Sequence, residues 1–125
     1  MNEESIRPPA HGVPVRARKR TRHAEELVVR AERERAARAL SEQLVGKLSA
    51  RGMTRAAMIQ RCLAAREGDA GTHTEYRFLR ILKGAALPDA AQLEIMARAL
   101  GTEVQDVLGA IDLAQLEALR RAGEA

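Results

Sequence analysis

Residues 41–108 read SEQLVGKLSARGMTRAAMIQRCLAAREGDAGTHTEYRFLRILKGAALPDAAQLEIMARALGTEVQDVL. This stretch decides the fold, because a start or stop residue stands at nearly every change of pattern. Gly52, Gly84, Gly101 and Gly109 each follow an apolar helical run, where a left-handed residue closes a helix. Thr54, Thr74, Asp89 and Thr102 stand where helices begin, and the pairs Asp89/Gln92 and Thr102/Gln105 have capping-box spacing. The reading is five short helices. The first covers Ser41–Arg51 with Leu44, Val45 and Leu48 inward. The second covers Thr54–Ala64 with Met58, Ile59 and Cys62 or Leu63 inward. The third covers Thr74–Gly84 with Phe78, Ile81 and Leu82 inward. The fourth covers Asp89–Leu100 on Leu93, Met96, Ala97 and Leu100, and the fifth Thr102–Leu108 on Val104, Val107 and Leu108.

Outside this stretch the pattern loosens. Residues 1–15 carry Pro8, Pro9, Gly12 and Pro14 and few large apolar groups, which predicts a disordered tail. Arg16, Arg18, Lys19, Arg20 and Arg22 follow without an intervening acid, so residues 1–22 form a disordered basic arm in this reading. The run is either a solvated charge cluster or an arm that lies along phosphates or enters a minor groove. Residues 23–40 contain neither Pro nor Gly and read as a helical extension, with Glu25, Glu26, Glu32 and Glu34 interleaved among Arg30, Arg33, Arg35 and Arg38. This extension is also a candidate seam between two chains, although its Ala-rich apolar stripe is thin. Residues 110–125 predict a last short helix, with Asp112/Gln115 in capping spacing and Leu113, Leu116 and Leu119 as its stripe. So short a helix is unstable alone, and it must cover the bundle or meet a partner chain.

Composition narrows the function classes. The chain has 125 residues, 46% apolar and 2% aromatic, which suits one all-α domain with an aliphatic core. Cys62 is the single cysteine, excluding an internal disulfide or a cysteine-rich zinc site, and its place on an apolar face predicts a small core residue. His11, His23 and His73 are scattered without metal spacing, and His73 reads as a surface-loop residue. Ser5, Ser41 and Ser49 lie in no nucleophile context, and no glycine-rich phosphate loop follows a strand. No enzyme site, cofactor or metal is expected. No run approaches the ~18 apolar residues of a membrane span, and the polar N-terminus lacks a secretion signal, so the expected location is the cytoplasm. Net charge is +4 and segregated: residues 47–83 carry eight Lys/Arg against three Asp/Glu, and residues 84–125 three against seven. Such polarity orients a molecule toward a polyanion.

Residues 41–108 resemble the Xre family, the lambda-repressor-like helix-turn-helix regulators. Arg51-Gly52-Met53-Thr54 resembles the link between that family's first two helices, and Arg80-Ile81-Leu82-Lys83-Gly84 the exit of its recognition helix. Pro88, and the spaced Leu93, Ala97, Leu100, Gly101, Val104, Val107 and Leu108, match the remainder. One departure is large: residues 66–73 look inserted where the family has a tight turn. The resemblance implies a five-helix helix-turn-helix domain over 41–109. It implies a homodimer on double-stranded DNA, with Thr74, Glu75, Tyr76, Arg77 and Arg80 reading bases from the third helix. Thr54, Arg55 and Lys83 would bind phosphate, joined by Arg16, Arg18, Lys19, Arg20 and Arg22 of the arm. Glu75 could instead favour its helix dipole, and Tyr76 could instead be partly buried. The function implied is a bacterial transcriptional repressor reading an inverted repeat. Two rivals remain open: a protein-interaction module of the same fold, such as an antitoxin or antiactivator, and a non-specific DNA packager.

Overall fold

The computed structural model of the chain describes residues 15–68 and 71–124, with side-chain placement over 22–68 and 71–122. The chain is all-α. Among the described residues there are six helices, α1 (Val15–Ala50), α2 (Arg55–Ala65), α3 (Glu75–Leu82), α4 (Ala90–Leu100), α5 (Val104–Leu108) and α6 (Leu113–Glu124), and no strand.

The stop signals act through one hydrogen-bond pattern. After α1, α3 and α4, the glycine takes a positive φ (63° at Gly52, 79° at Gly84, 68° at Gly101). The next amide then reaches back five residues, from Met53 to Leu48, Ala85 to Arg80 and Thr102 to Ala97, at 2.8–2.9 Å. These are Schellman closures. Gly109 differs: its φ of 61° comes with ψ −120°, and its amide makes a single bond to Gln105. Here a close approach adds to the constraint, since a β-carbon would overlap the Gln43 carboxamide, which donates to the Val107 carbonyl at 2.6 Å.

The start signals hold in three of four cases. Thr54 and Thr74 cap α2 and α3 through Ala57 N–H (3.1 Å) and Arg77 N–H (3.3 Å), and Asp89 with Gln92 closes a full capping box. The fifth helix starts one residue later than expected. Glu103 is its cap, and Asp106, not Gln105, reaches back to the Glu103 amide and the Thr102 hydroxyl. A carboxylate accepts both donors where an amide side chain would not match them as well. Asp112 caps α6 as expected, accepting from Gln115 N–H at 3.2 Å.

The largest difference lies in α1. The extension and the first bundle helix form one helix of 36 residues, about 54 Å at 1.5 Å per residue. Ser41 is therefore mid-helix rather than a start. Residues 15–22 of the expected disordered arm are helical instead, because helical backbone begins at Val15 and includes the run of cations. Without Pro, and with only Gly46 to weaken it, nothing local interrupts the helix. The expected tail over 1–14 lies outside the described residues. The interleaved Glu and Arg of residues 25–38 form no ion pair among the described residues, as suits long solvated side chains whose exposed pairs gain little.

One core unites all the helices. Leu40, Leu44 and Leu48 of α1 meet Met58, Ile59 and Cys62 of α2, Phe78, Ile81 and Leu82 of α3, and Leu93, Met96, Val107 and Leu108 beyond. Val45, expected inward, is only half-buried. Burial pushes the Cys62 thiol up to about 12, which keeps it a neutral core group. Leu116 of α6 is 1% exposed and packs in the same core, so the C-terminal helix covers its own bundle along α1.

Candidate nucleic-acid interface

Helix α3 is eight residues with two chemical faces. Phe78, Ile81 and Leu82 are buried, while Glu75, Tyr76, Arg77 and Arg80 are exposed, with Lys83 exposed at the C-cap. The buried triad fixes the helix about its axis, so the polar set cannot turn inward without exposing three large apolar groups at ~1.5–3 kcal/mol each. Its two ends are fixed separately. At the start, the Thr74 hydroxyl is committed to the cap. At the exit, the Ser41 hydroxyl donates to the Leu82 carbonyl at 2.5 Å, satisfying an end-of-helix acceptor from another helix. Gly84 then lies directly on α1: a β-carbon there would be 3.3 Å from Ser41 Cβ and 3.4 Å from Arg38 Cα.

The loop before α3 differs from expectation at one residue. His73, read as a surface-loop histidine, is 8% exposed, and its Nδ1 is buried without a hydrogen-bond partner. Two things bring it inside. Arg66 Nη1 donates to the His73 carbonyl at 2.8 Å, drawing the loop end against α2. His73 also precedes the cap, the position from which a side chain folds toward the fourth helical residue, here buried Phe78.

On the open side, Thr74, Tyr76, Arg77 and Arg80 line one shallow recess together with Gln92 and Leu87. Tyr76 is 66% exposed, so the alternative of partial core burial does not hold. The Arg80 guanidinium stands 5.9 Å from the Tyr76 ring centroid and donates to the Ala85 carbonyl at 3.1 Å. That pair forms a preset cationic ledge. The Arg77 side chain, one turn before it, makes no hydrogen bond or ion pair among the described residues. The remaining candidates are dispersed. Thr54 caps α2 and Arg55 is its exposed first residue, but neither lines this recess. Arg16, Arg18, Lys19 and Arg20 are on helical backbone in α1, their side chains outside those described, and Arg22 is exposed on the same helix.

Sequence reasoning missed Ser41 and the α1 arginines near α3. Arg30, Arg33 and Arg38 share a second cleft with Arg80 and the turn Gly84–Leu87. A signal existed for Ser41, a lone hydroxyl on the stripe of Leu40, Leu44 and Leu48. The arginines looked like any solvated charge until α3 was docked beside them. Among the described residues, no group of three His, Cys, Asp or Glu could hold a metal ion, and no helix is long and apolar enough to cross a membrane. No family model, curated protein or solved structure matches the chain.

Proposed function

We propose that this chain is a sequence-specific DNA-binding transcriptional regulator of the lambda-repressor-like helix-turn-helix type, with α2 and α3 as the helix pair and α3 as the base-reading element. The observation that carries this reading is the two-faced α3, anchored underneath by Phe78, Ile81 and Leu82 and presenting Tyr76, Arg77, Arg80 and Lys83 outward. An exposed helix edge with long donors at its start suits a major groove, where arginine chelates guanine O6 and N7. Arg77 is the principal reader, since no intramolecular bond holds its side chain among the described residues. Arg80, steadied by Tyr76 and Ala85, reads or grips one turn further on. Glu75 would accept from cytosine N4 or serve the helix dipole. Thr74 is a cap first, and any base contact would use its remaining hydroxyl donor. Thr54, Arg55 and Lys83 would hold phosphates.

A homodimer on an inverted repeat, half-sites about 34 Å apart, completes the proposal. Leu27, Val28 and Leu113 are exposed apolar groups available for such a contact. Repression in a bacterial cytoplasm, on the nucleoid, is the mode that fits. The rival, a protein-interaction module, draws on the same exposed apolar groups and on the enlarged loop between α2 and α3. A mobility shift separates them: DNA from the chain's own upstream region should be retarded by purified protein, with affinity falling steeply as salt rises. No retardation, with a second protein captured instead, would favour the rival.

A further inference from the structure

The cleft beside α3 encloses about 690 Å³ and is strongly cationic. Arg30, Arg33 and Arg38 of α1 form one wall and Arg80 of α3 the other, with Glu34 as the single acid on its lining. Among the described residues, the side chains of Arg30, Arg33 and Arg38 make no ion pair or hydrogen bond. The Arg33 Nε is buried without a partner, a donor shielded from water and left unsatisfied. Leaving a donor so costs free energy unless a ligand supplies the acceptor. Arg80, Ala86 and Leu87 border both this cleft and the recess over Tyr76 and Arg77, so the two are continuous.

We infer that this arginine-lined cleft between α1 and the α3–α4 turn is a phosphate track that holds the DNA strand flanking the groove entered by α3. The inference rests on the DNA reading of α3 and extends its footprint onto α1. A strand is favoured over a small anion because the cleft shares Arg80, Ala86 and Leu87 with the recess on the α3 face. Arg30 and Arg38 are eight residues apart, about 12 Å along the helix. That covers more than one charge of a strand whose phosphates repeat every ~3.4 Å of axis. The close seat of Gly84 on Arg38 and Ser41 keeps the two walls in register. Recognition by α3 and grip by α1 are thereby one rigid device, in which Arg80 belongs to both halves.

The test uses the full chain with Arg30→Gln/Arg38→Gln, two exposed positions whose replacement leaves the core intact. Arg98→Gln/Arg121→Gln, also exposed and equal in charge change, is the control. Affinity for a selected duplex is measured across salt concentrations, with ethylation interference on both strands. The slope of log affinity against log salt should fall by about two in the first variant, at ~0.9 per phosphate, with base preference unchanged and interference lost at flanking phosphates. The control should keep the wild-type slope and footprint. An unchanged slope and footprint in the Arg30/Arg38 variant, with Arg77→Ala still weakening binding, overturns the track and leaves the α3 reading standing. Wild-type protein that binds no duplex overturns both. A titration with inorganic triphosphate alone covers the free-anion case: binding lost in the Arg30/Arg38 variant while its DNA slope stays at wild type would reassign the cleft to a small anion and overturn the strand assignment.

Discussion

Ser41 shows how one side chain positions a surface it does not reach. Its hydroxyl holds the last turn of α3 from the middle of α1, and both groups are buried. Ser41→Ala would leave the Leu82 carbonyl without that partner and should cost about 1–2 kcal/mol, read by denaturant unfolding. Gly109→Ala should cost at least as much, because it combines a positive φ with a clash against Gln43. An unchanged midpoint would mean that α5 and Gln43 move apart freely. Cys62 gives a pH signature. Burial pushes its folded thiol up to about 12 from an ordinary 9.0, so the unfolded chain loses its proton first as pH rises. Stability should therefore decline between about pH 9 and pH 12, and Cys62→Ala should flatten that decline in chemical denaturation carried out across the range.

At the scale of helices, legibility followed local chemistry. Caps and stops are read by neighbours within five residues, so Thr54, Thr74, Asp89, Gly52, Gly84 and Gly101 were legible in sequence and occupy their roles. Ser41 resembled a cap because serine caps helices, yet nothing upstream breaks the helix, and continuity from Val15 won. Thr102 lost its role to Glu103 because a carboxylate three residues on matched the later start. The Thr102 hydroxyl beside Asp106, joined by the Glu103 amide and weakly by Lys47, lowers the Asp106 carboxyl below the usual range. The contribution of that cap is present above the ordinary carboxylate range and is lost as pH falls through the lowered value. His73 and the α1 arginines were illegible for a different reason: their surroundings come from residues far away in the chain. α6 supplies the next prediction. Leu116→Ala should cost about 2–4 kcal/mol, and hydrogen exchange should quicken along the part of α1 that α6 packs against, whose partly buried residues run from Val29 to Ala37.

For the whole molecule, charge polarity and the placement of α3 point the same way. Basic residues gather on α3 and the adjoining wall of α1, while acids gather from α4 onward. The all-α architecture and the core were legible, because apolar spacing over 41–108 states them directly. The candidate surface was only partly so: Tyr76, Arg77 and Arg80 line one recess, whereas Thr54 and Arg55 do not line it. Arg77→Ala should weaken duplex binding by ~1–3 kcal/mol and relax preference at one base pair, measured by competition among duplexes of varied sequence. Equal weakening on every duplex would assign Arg77 to phosphate alone. The most direct measurement is a nuclear magnetic resonance titration of the labelled full chain with duplex DNA from its upstream region. The account predicts the largest amide shifts at Glu75, Tyr76, Arg77 and Arg80. Shifts confined to α6, or none at all while the chain stays folded, would contradict it.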